Sequence, residues 1–219
     1  MQSCSPISND RLFLKEIPNR EEMRILIFGN SITGAPESLE NWEYGWGLAA
    51  SSPDSDYVHL LYAHFKDTLG YAPEMITFDL GDFERHFPAY DYSKLDTLKQ
   101  FHADLIIFRI GDNINSDMAV ESYLWESFGS LLDYVTQNKD QVIICTSSWF
   151  TNSTVDAIMR ETCAKKQVSF LDISQLINDK SNQASSERPI SDPGVGAHPG
   201  DKGMREITTA LWRVISQML

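Results

Sequence analysis

Arg24-Ile25-Leu26-Ile27-Phe28-Gly29-Asn30-Ser31-Ile32-Thr33-Gly34 is a short apolar run that stops at a glycine and turns through a polar loop. The run is too short for an ordinary helix, and apolar residues do not alternate with polar ones along it. That pattern suits a strand buried on both faces, as in a parallel sheet. Similar runs recur at Glu74–Phe78, Asp104–Ile110, Gln141–Thr146 and Val168–Leu171. Helical patterns lie between them. Tyr57, Leu60, Leu61, His64 and Phe65 share one helix face, with Pro53 and Asp54 suited to its start. Ala119 to Val135 reads as one helix with Leu124, Phe128, Leu131 and Leu132 inward. Ser153 with Asp156 resembles a capping box opening another. Pro199 to Leu219 carries Ile207, Leu211, Val214, Ile215 and Met218, a terminal amphipathic helix. Strand and helix alternate about five times, so the expected architecture is α/β, a three-layer α/β/α sandwich around a mostly parallel five-stranded sheet. Residues 1–22 are polar and aperiodic and read as a loose N-terminal extension, leaving 23–219 as a single domain.

Composition agrees. The chain has 219 residues, and a prior of one domain per ~150 residues allows one domain or two small ones. Hydrophobic residues are 42%, aromatics 11% and charged residues 22%, proportions of a globular protein. A chain of this length buries roughly 70% of its unfolded surface and needs no metal or disulfide to fold. The net charge of −13 repels phosphate backbones and anionic membranes, so no nucleic acid is expected as a partner. No stretch approaches the ~18 apolar residues of a membrane span. Cys4, Cys145 and Cys163 fit neither a zinc site nor a disulfide framework, and Cys145 reads as a buried, inert thiol. His59, His64, His86 and His102 lack metal-ligand spacing, so neither metal nor other cofactor is expected. The first 22 residues hold no apolar signal core, which leads to the expectation of a cytoplasmic protein, or of an exported one if a signal has been removed.

In parallel α/β sheets the working residues sit beyond the carboxyl ends of the strands. After the first strand, Gly29-Asn30-Ser31-Ile32-Thr33-Gly34 is a phosphate cradle, a plain glycine turn, or a turn that exposes Ser31 as a nucleophile. It has neither GxGxxG nor a P-loop lysine. After the third run comes Gly111-Asp112-Asn113, where an Asn amide suits a developing oxyanion and is equally a common turn residue. Near the C-terminus, His198-Pro199 lies in a glycine-rich loop before the last helix, with no apolar neighbours to make it a core histidine.

Together these three blocks, in this order, resemble the SGNH hydrolases, also called the GDSL esterase/lipase family. Gly29-Asn30-Ser31 is similar to its first block, Gly111-Asp112-Asn113 to its third, and His198-Pro199 to its fifth. The resemblance implies a flavodoxin-like fold and a serine esterase. Ser31 would be the nucleophile and His198 the base, with an oxyanion hole of the Ser31 N–H, the Gly81 N–H and the Asn113 amide. Gly81 is the best match to the second block, in a poor context. The family's acid three residues before the histidine is absent, because Val195 stands there. Either Asp192 reaches the ring or a backbone carbonyl orients it, giving a Ser–His dyad.

The implied substrate is a small-molecule acyl ester, with acetylated sugars suggested by the aromatic segment Asn41–Trp46. Trp42, Tyr44, Trp46 and, past the fourth strand, Trp149 are candidates to line a binding site, or else pack the domain edge. Arg109, inside an apolar strand, demands a buried anion, expected to be Asp82 or Glu84. Two other readings stay open: a catalytically inactive carbohydrate-binding protein on the same scaffold, and a flavodoxin-like nucleotide or flavin binder. Nothing in the sequence specifies an oligomeric state.

Overall fold

A computed structural model of the chain describes residues 10–18, 22–34 and 45–219. The strands are β1 Arg24–Gly29, β2 Glu74–Asp79, β3 Leu105–Phe108, β4 Val142–Thr146 and β5 Ser169–Leu171. They form one sheet in the order β2-β1-β3-β4-β5, with every pairing parallel. The helices are α1 Tyr57–Leu69, α2 Gly81–His86, α3 Asp96–Lys99, α4 Ser116–Glu121, α5 Leu124–Val135, α6 Ser153–Lys165, α7 Pro193–Gly196 and α8 Asp201–Ile215.

The continuous apolar runs divide between two cores. Ile25, Ile27, Leu105, Ile107, Val142, Ile144 and Leu171 face α1 and α8, where Leu61, Phe65, Ile207 and Leu211 are fully buried. Leu26, Phe28, Ile106, Phe108, Ile143, Cys145 and Phe170 face the other layer, against Phe128, Leu131 and Met159 of α5 and α6. Successive strand residues point to opposite faces, and both faces are covered, so both sets are apolar. Each such side chain contributes roughly 1.5–3 kcal/mol by leaving water. Phe28 and Phe108, neighbours across β1 and β3, stack with centroids 4.7 Å apart.

Several element boundaries differ from the sequence expectation. The helix expected over Ala119–Val135 is two, because Tyr123 takes a left-handed conformation (φ 53°, ψ 57°) and separates α4 from α5. α1 starts later than Pro53 and Asp54 suggest. Those residues form a short 3-10 turn, and the Asp56 carboxylate caps α1 by accepting from the His59 N–H at 2.8 Å. α6 is capped by Asn152, not by a Ser153–Asp156 box; Asp156 instead accepts from the backbone and hydroxyl of Ser148.

Part of the segment read as a loose extension packs on the domain. Arg11 and Phe170 exchange backbone hydrogen bonds of 2.9 and 2.8 Å, and the Phe13 N–H donates to Ser169 Oγ. Ile17 is buried and its N–H donates to Met218 O. Residues 10–13 therefore run along the outer edge of β5, and Ile17 fastens the segment to Met218. At the other end of the sheet, β2 has β1 as its one strand partner among the described residues, and its side chains are mostly exposed or half-exposed. Cys145 and Cys163 are buried free thiols, and Cys4 lies outside the described residues. No helix among the described residues is long and apolar enough to cross a membrane.

Candidate active site

β1 and β3 are adjacent, and their continuations diverge to β2 on one side and β4 on the other. Beyond their carboxyl ends lies the crevice where the order of the sheet reverses. The turn after β1 is tight because Gly29 lacks a side chain: a Cβ there would lie 1.7 Å from Thr33 Oγ1. Thr33 and Gly34 both donate to Asn30 O, curling the backbone around Ser31, and the Leu48 N–H donates to Ser31 O at 2.8 Å. The Ser31 N–H has no acceptor among the described residues.

His198 arrives from the opposite end of the chain, between α7 and α8. Its Nε2 lies 3.2 Å from Ser31 Oγ. Its Nδ1 lies 2.8 Å from Gly194 O, and a carbonyl can only accept, so Nδ1 carries the hydrogen and Nε2 presents its lone pair to the serine. The ring of Phe150 stands edge-on to the imidazole with centroids 5.0 Å apart. Burial lowers the His198 pKa from its ordinary 6.5; the Gly194 hydrogen bond and the charge of Asp112 work in the other direction. The shift favours the neutral imidazole, the form a general base needs.

Asp192 does not reach the ring. Its carboxylate caps α7, accepting from the Val195 N–H at 3.0 Å. Of the two expected ways to orient the ring, Asp192 or a backbone carbonyl, the structure shows the carbonyl of Gly194, and Asp192 shapes the turn that carries it. Trp149, expected to line a pocket, is fully buried. Its indole N–H donates to Ala197 O at 3.0 Å, which ties the histidine loop to the end of β4. The neighbouring residue Phe150, which sequence reasoning passed over, is the aromatic side chain at the imidazole. Trp46 is half-buried and packs against the α1–α8 core. Trp42 and Tyr44 lie outside the described residues.

Beneath Ser31 lies a buried polar cluster. Arg109 is fully buried, and its Nη2 donates to Asn30 Oδ1 at 2.6 Å and to Asp112 Oδ2. The expected partner, Asp82 or Glu84, is corrected to Asp112, three residues along. Asp82 is exposed and pairs with His86 and Lys94. Asp112 also accepts from the backbone N–H groups of Trp149 and Phe150 at 2.7 and 3.0 Å, and from Asn30 Nδ2. Burial pushes Asp112 upward, but Arg109, Asn30 and these two amides together hold it below the usual carboxylate range.

Of the expected oxyanion donors, Asn113 is exposed; its Nδ2 donates to Glu84 Oε2 at 2.6 Å, which leaves the second amide hydrogen unassigned. Gly81 is not free. Its N–H donates to Asp79 Oδ1 at 2.8 Å, so its expected role is corrected: the amide begins α2 and is held by the carboxylate two residues before it. Gly111 has φ 123°, a conformation costly for any residue with a side chain, and this lets its N–H meet Glu84 Oε1 at 2.6 Å. A cavity of about 570 Å³ adjoins the Ser31 turn, walled by Asn30, Gly34, Val58, Tyr62 and Phe78 among others.

No protein-family description matches the sequence, and no curated protein matches it. Solved structures do resemble it. A protein assigned as a GDSL-like lipase from Parabacteroides merdae ATCC 43184 superposes with a TM-score of 0.58 at 15% identity, covering 92% of this chain and 99% of the other. The acetyl xylan esterase AlAXEase gives 0.56 at 15% identity, over 88% of this chain and 100% of the other. The lipase Lip_vut3 from a goat rumen metagenome gives 0.55 at 10% identity, over 88% and 97%. The chain has the fold of the SGNH hydrolases, as the order of its three sequence blocks leads one to expect.

Proposed function

We propose that the protein is a serine esterase acting through a Ser31–His198 dyad. The observation that carries this is the 3.2 Å approach of Ser31 Oγ to His198 Nε2, across 167 residues of chain, with the other ring nitrogen already occupied by Gly194 O. A serine hydroxyl becomes a useful nucleophile beside such a base. In the proposed reaction Ser31 Oγ attacks the ester carbonyl carbon while its proton passes to Nε2. The carbonyl oxygen becomes an oxyanion, received by the Ser31 N–H and the free hydrogen of the Asn113 amide. The imidazolium returns the proton to the leaving alcohol, and the acyl group stays on Ser31. Water then repeats the sequence, activated by the same nitrogen, and releases the acid. The dipole of Gly194 C=O, rather than a carboxylate, steadies the imidazolium.

A cavity beside Asn30, Thr33 and Gly34 lies next to the turn that carries Ser31. Acetylated sugars are the proposed substrate class, supported by the structural likeness to an acetyl xylan esterase. The proposal is tested with p-nitrophenyl acetate and a serine-directed fluorophosphonate. Hydrolysis is expected, with one adduct mapped to Ser31, and Ser31→Ala should lose at least ~10³-fold in turnover while keeping its melting temperature. Turnover retained in Ser31→Ala removes the nucleophile assignment. Sugar binding without any turnover would favour the carbohydrate-binding reading.

A further inference from the structure

We propose that Glu84 is a positioning residue for the oxyanion hole: its buried carboxylate gathers the Asn113 amide, the Gly111 N–H and the Asn30 amide and so aims the Asn113 side chain at the reacting carbonyl. This deepens the esterase proposal and rests on it.

Glu84 lies in α2 and is 1% exposed, although its helix neighbours Asp82, Arg85 and His86 face solvent. Its Oε2 accepts from Asn113 Nδ2 at 2.6 Å. Its Oε1 accepts from the Gly111 N–H at 2.6 Å and from Asn30 Nδ2 at 3.1 Å. These donors come from two loops, after β1 and after β3, while Glu84 comes from the element after β2. One carboxylate thus ties together the ends of the central strands around Ser31. An ionised carboxylate is an acceptor only, and every group it meets here is a donor. An Asn side chain free to rotate would not hold one amide hydrogen toward an oxyanion. With its other hydrogen fixed on Glu84, the planar amide group has one orientation left. Among the described residues no cation pairs directly with Glu84; Arg109 Nη2 donates to Asp112 and Asn30. The partners of this carboxylate are neutral donors from the two loops that flank Ser31.

The arrangement gives a reading that bulk stability does not. Burial, and behind it the Asp112 charge, raise the Glu84 pKa above its ordinary 4.5. When pH falls through that raised value, one oxygen becomes an O–H and its acceptor role toward the cluster is lost. The charged groups around it are Asp112, which opposes ionisation, and Arg109, which is held on Asp112. The acid limb of the kcat profile should therefore contain a Glu84 step besides the His198 step. It should be present only while Asn113 can respond.

The experiment compares the full chain with Glu84→Gln, Asn113→Ala and the double variant on p-nitrophenyl acetate. In Glu84→Gln one accepting oxygen becomes an NH₂ that faces the N–H groups of Asn113 or Gly111. A loss of kcat of up to about 10²-fold is expected, with KM little changed. Asn113→Ala should lose about 10²–10³-fold, and the double variant should be no worse than Asn113→Ala alone. In Asn113→Ala, which retains Glu84, the acid limb should simplify to the His198 step. Wild-type kcat in Glu84→Gln, or losses that multiply in the double variant, would overturn the proposal. If Glu84→Gln does not fold, the Asn113→Ala profile decides, and an acid limb unchanged from the parent overturns it. A parent protein that neither hydrolyses the ester nor labels at Ser31 removes the esterase proposal and this one with it. A labelled, active parent with an indifferent Glu84 removes this one alone.

Discussion

Arg109 is a cation with no access to water, and Asp112, its one ionic partner among the described residues, has a side chain almost as enclosed. Removing one member of such a pair strands the other. Arg109→Met should destabilise the fold by about 3–5 kcal/mol, measured by denaturant unfolding. Asp112→Asn in the same background should recover part of that loss, because the stranded charge is gone. His198 makes a second residue-scale prediction. Burial lowers its pKa, so the proton leaves the ring more readily than from a free histidine, and the neutral base persists to lower pH. Its ring titration by NMR should have a midpoint below 6.5. Val195→Asp, which restores an acid three residues before the ring, should move that midpoint up. A midpoint above 6.5 in the parent would contradict the account. Ser31 and His198 could be read from sequence because each sits beside a marker of local geometry, a glycine turn or a His-Pro at a helix start. Glu84 could not. Its surroundings, Gly-Asp-Phe-Glu-Arg-His, look like a solvated helix, and only the neighbouring strand ends make it a buried acceptor. Phe150 was hidden for a smaller reason: once a strand ends, alternation no longer says which of two consecutive aromatics turns inward.

At the scale of elements, the strands were the most legible part, since burial on both faces leaves a continuous apolar run. Helix ends were less so. Pro53-Asp54 looks like a helix start, yet it forms a separate turn and Asp56 caps α1; both sites offer the same chemistry to the backbone, and tertiary contacts chose between them. The break between α4 and α5 left no trace in periodicity. Tyr123 holds left-handed backbone angles that cost a residue with a side chain roughly 1–2 kcal/mol, and its ring is 58% exposed. Tyr123→Gly should therefore raise stability by up to about 1 kcal/mol, read as a higher melting temperature. A fall would mean that the ring packs against something that outweighs the strain. The α7 turn gives a matching lesson about the site. Asp192 and His198 both stand out in the sequence, but whether a side chain reaches a ring depends on the turn between them, and in α7 the Asp192 carboxylate caps the helix by accepting from the N–H of its third residue, Val195.

For the whole molecule, the layer order followed from strand–helix alternation, and the sheet order β2-β1-β3-β4-β5 places Ser31 and Asn113 at the reversal point. Residues 10–18, part of the segment read as loose, pack on the domain: an edge-pairing stretch needs only a few backbone bonds and one buried apolar residue, here Ile17, so it carries no periodic signature. Its consequence is an asymmetry. Residues 10–13 shield the backbone of β5, whereas among the described residues no strand pairs with the outer edge of β2 at the far rim. Glu74 and Asp79 mark its two ends, and the molecule as a whole carries −13. Mutual repulsion thus guards a rim that shape leaves unguarded. Acidification, which discharges carboxylates, should let molecules zip rim to rim while the interior is still native, visible as rising light scattering before any loss of near-ultraviolet dichroism. Scattering that rises only together with that loss would place the vulnerability in the unfolded chain instead.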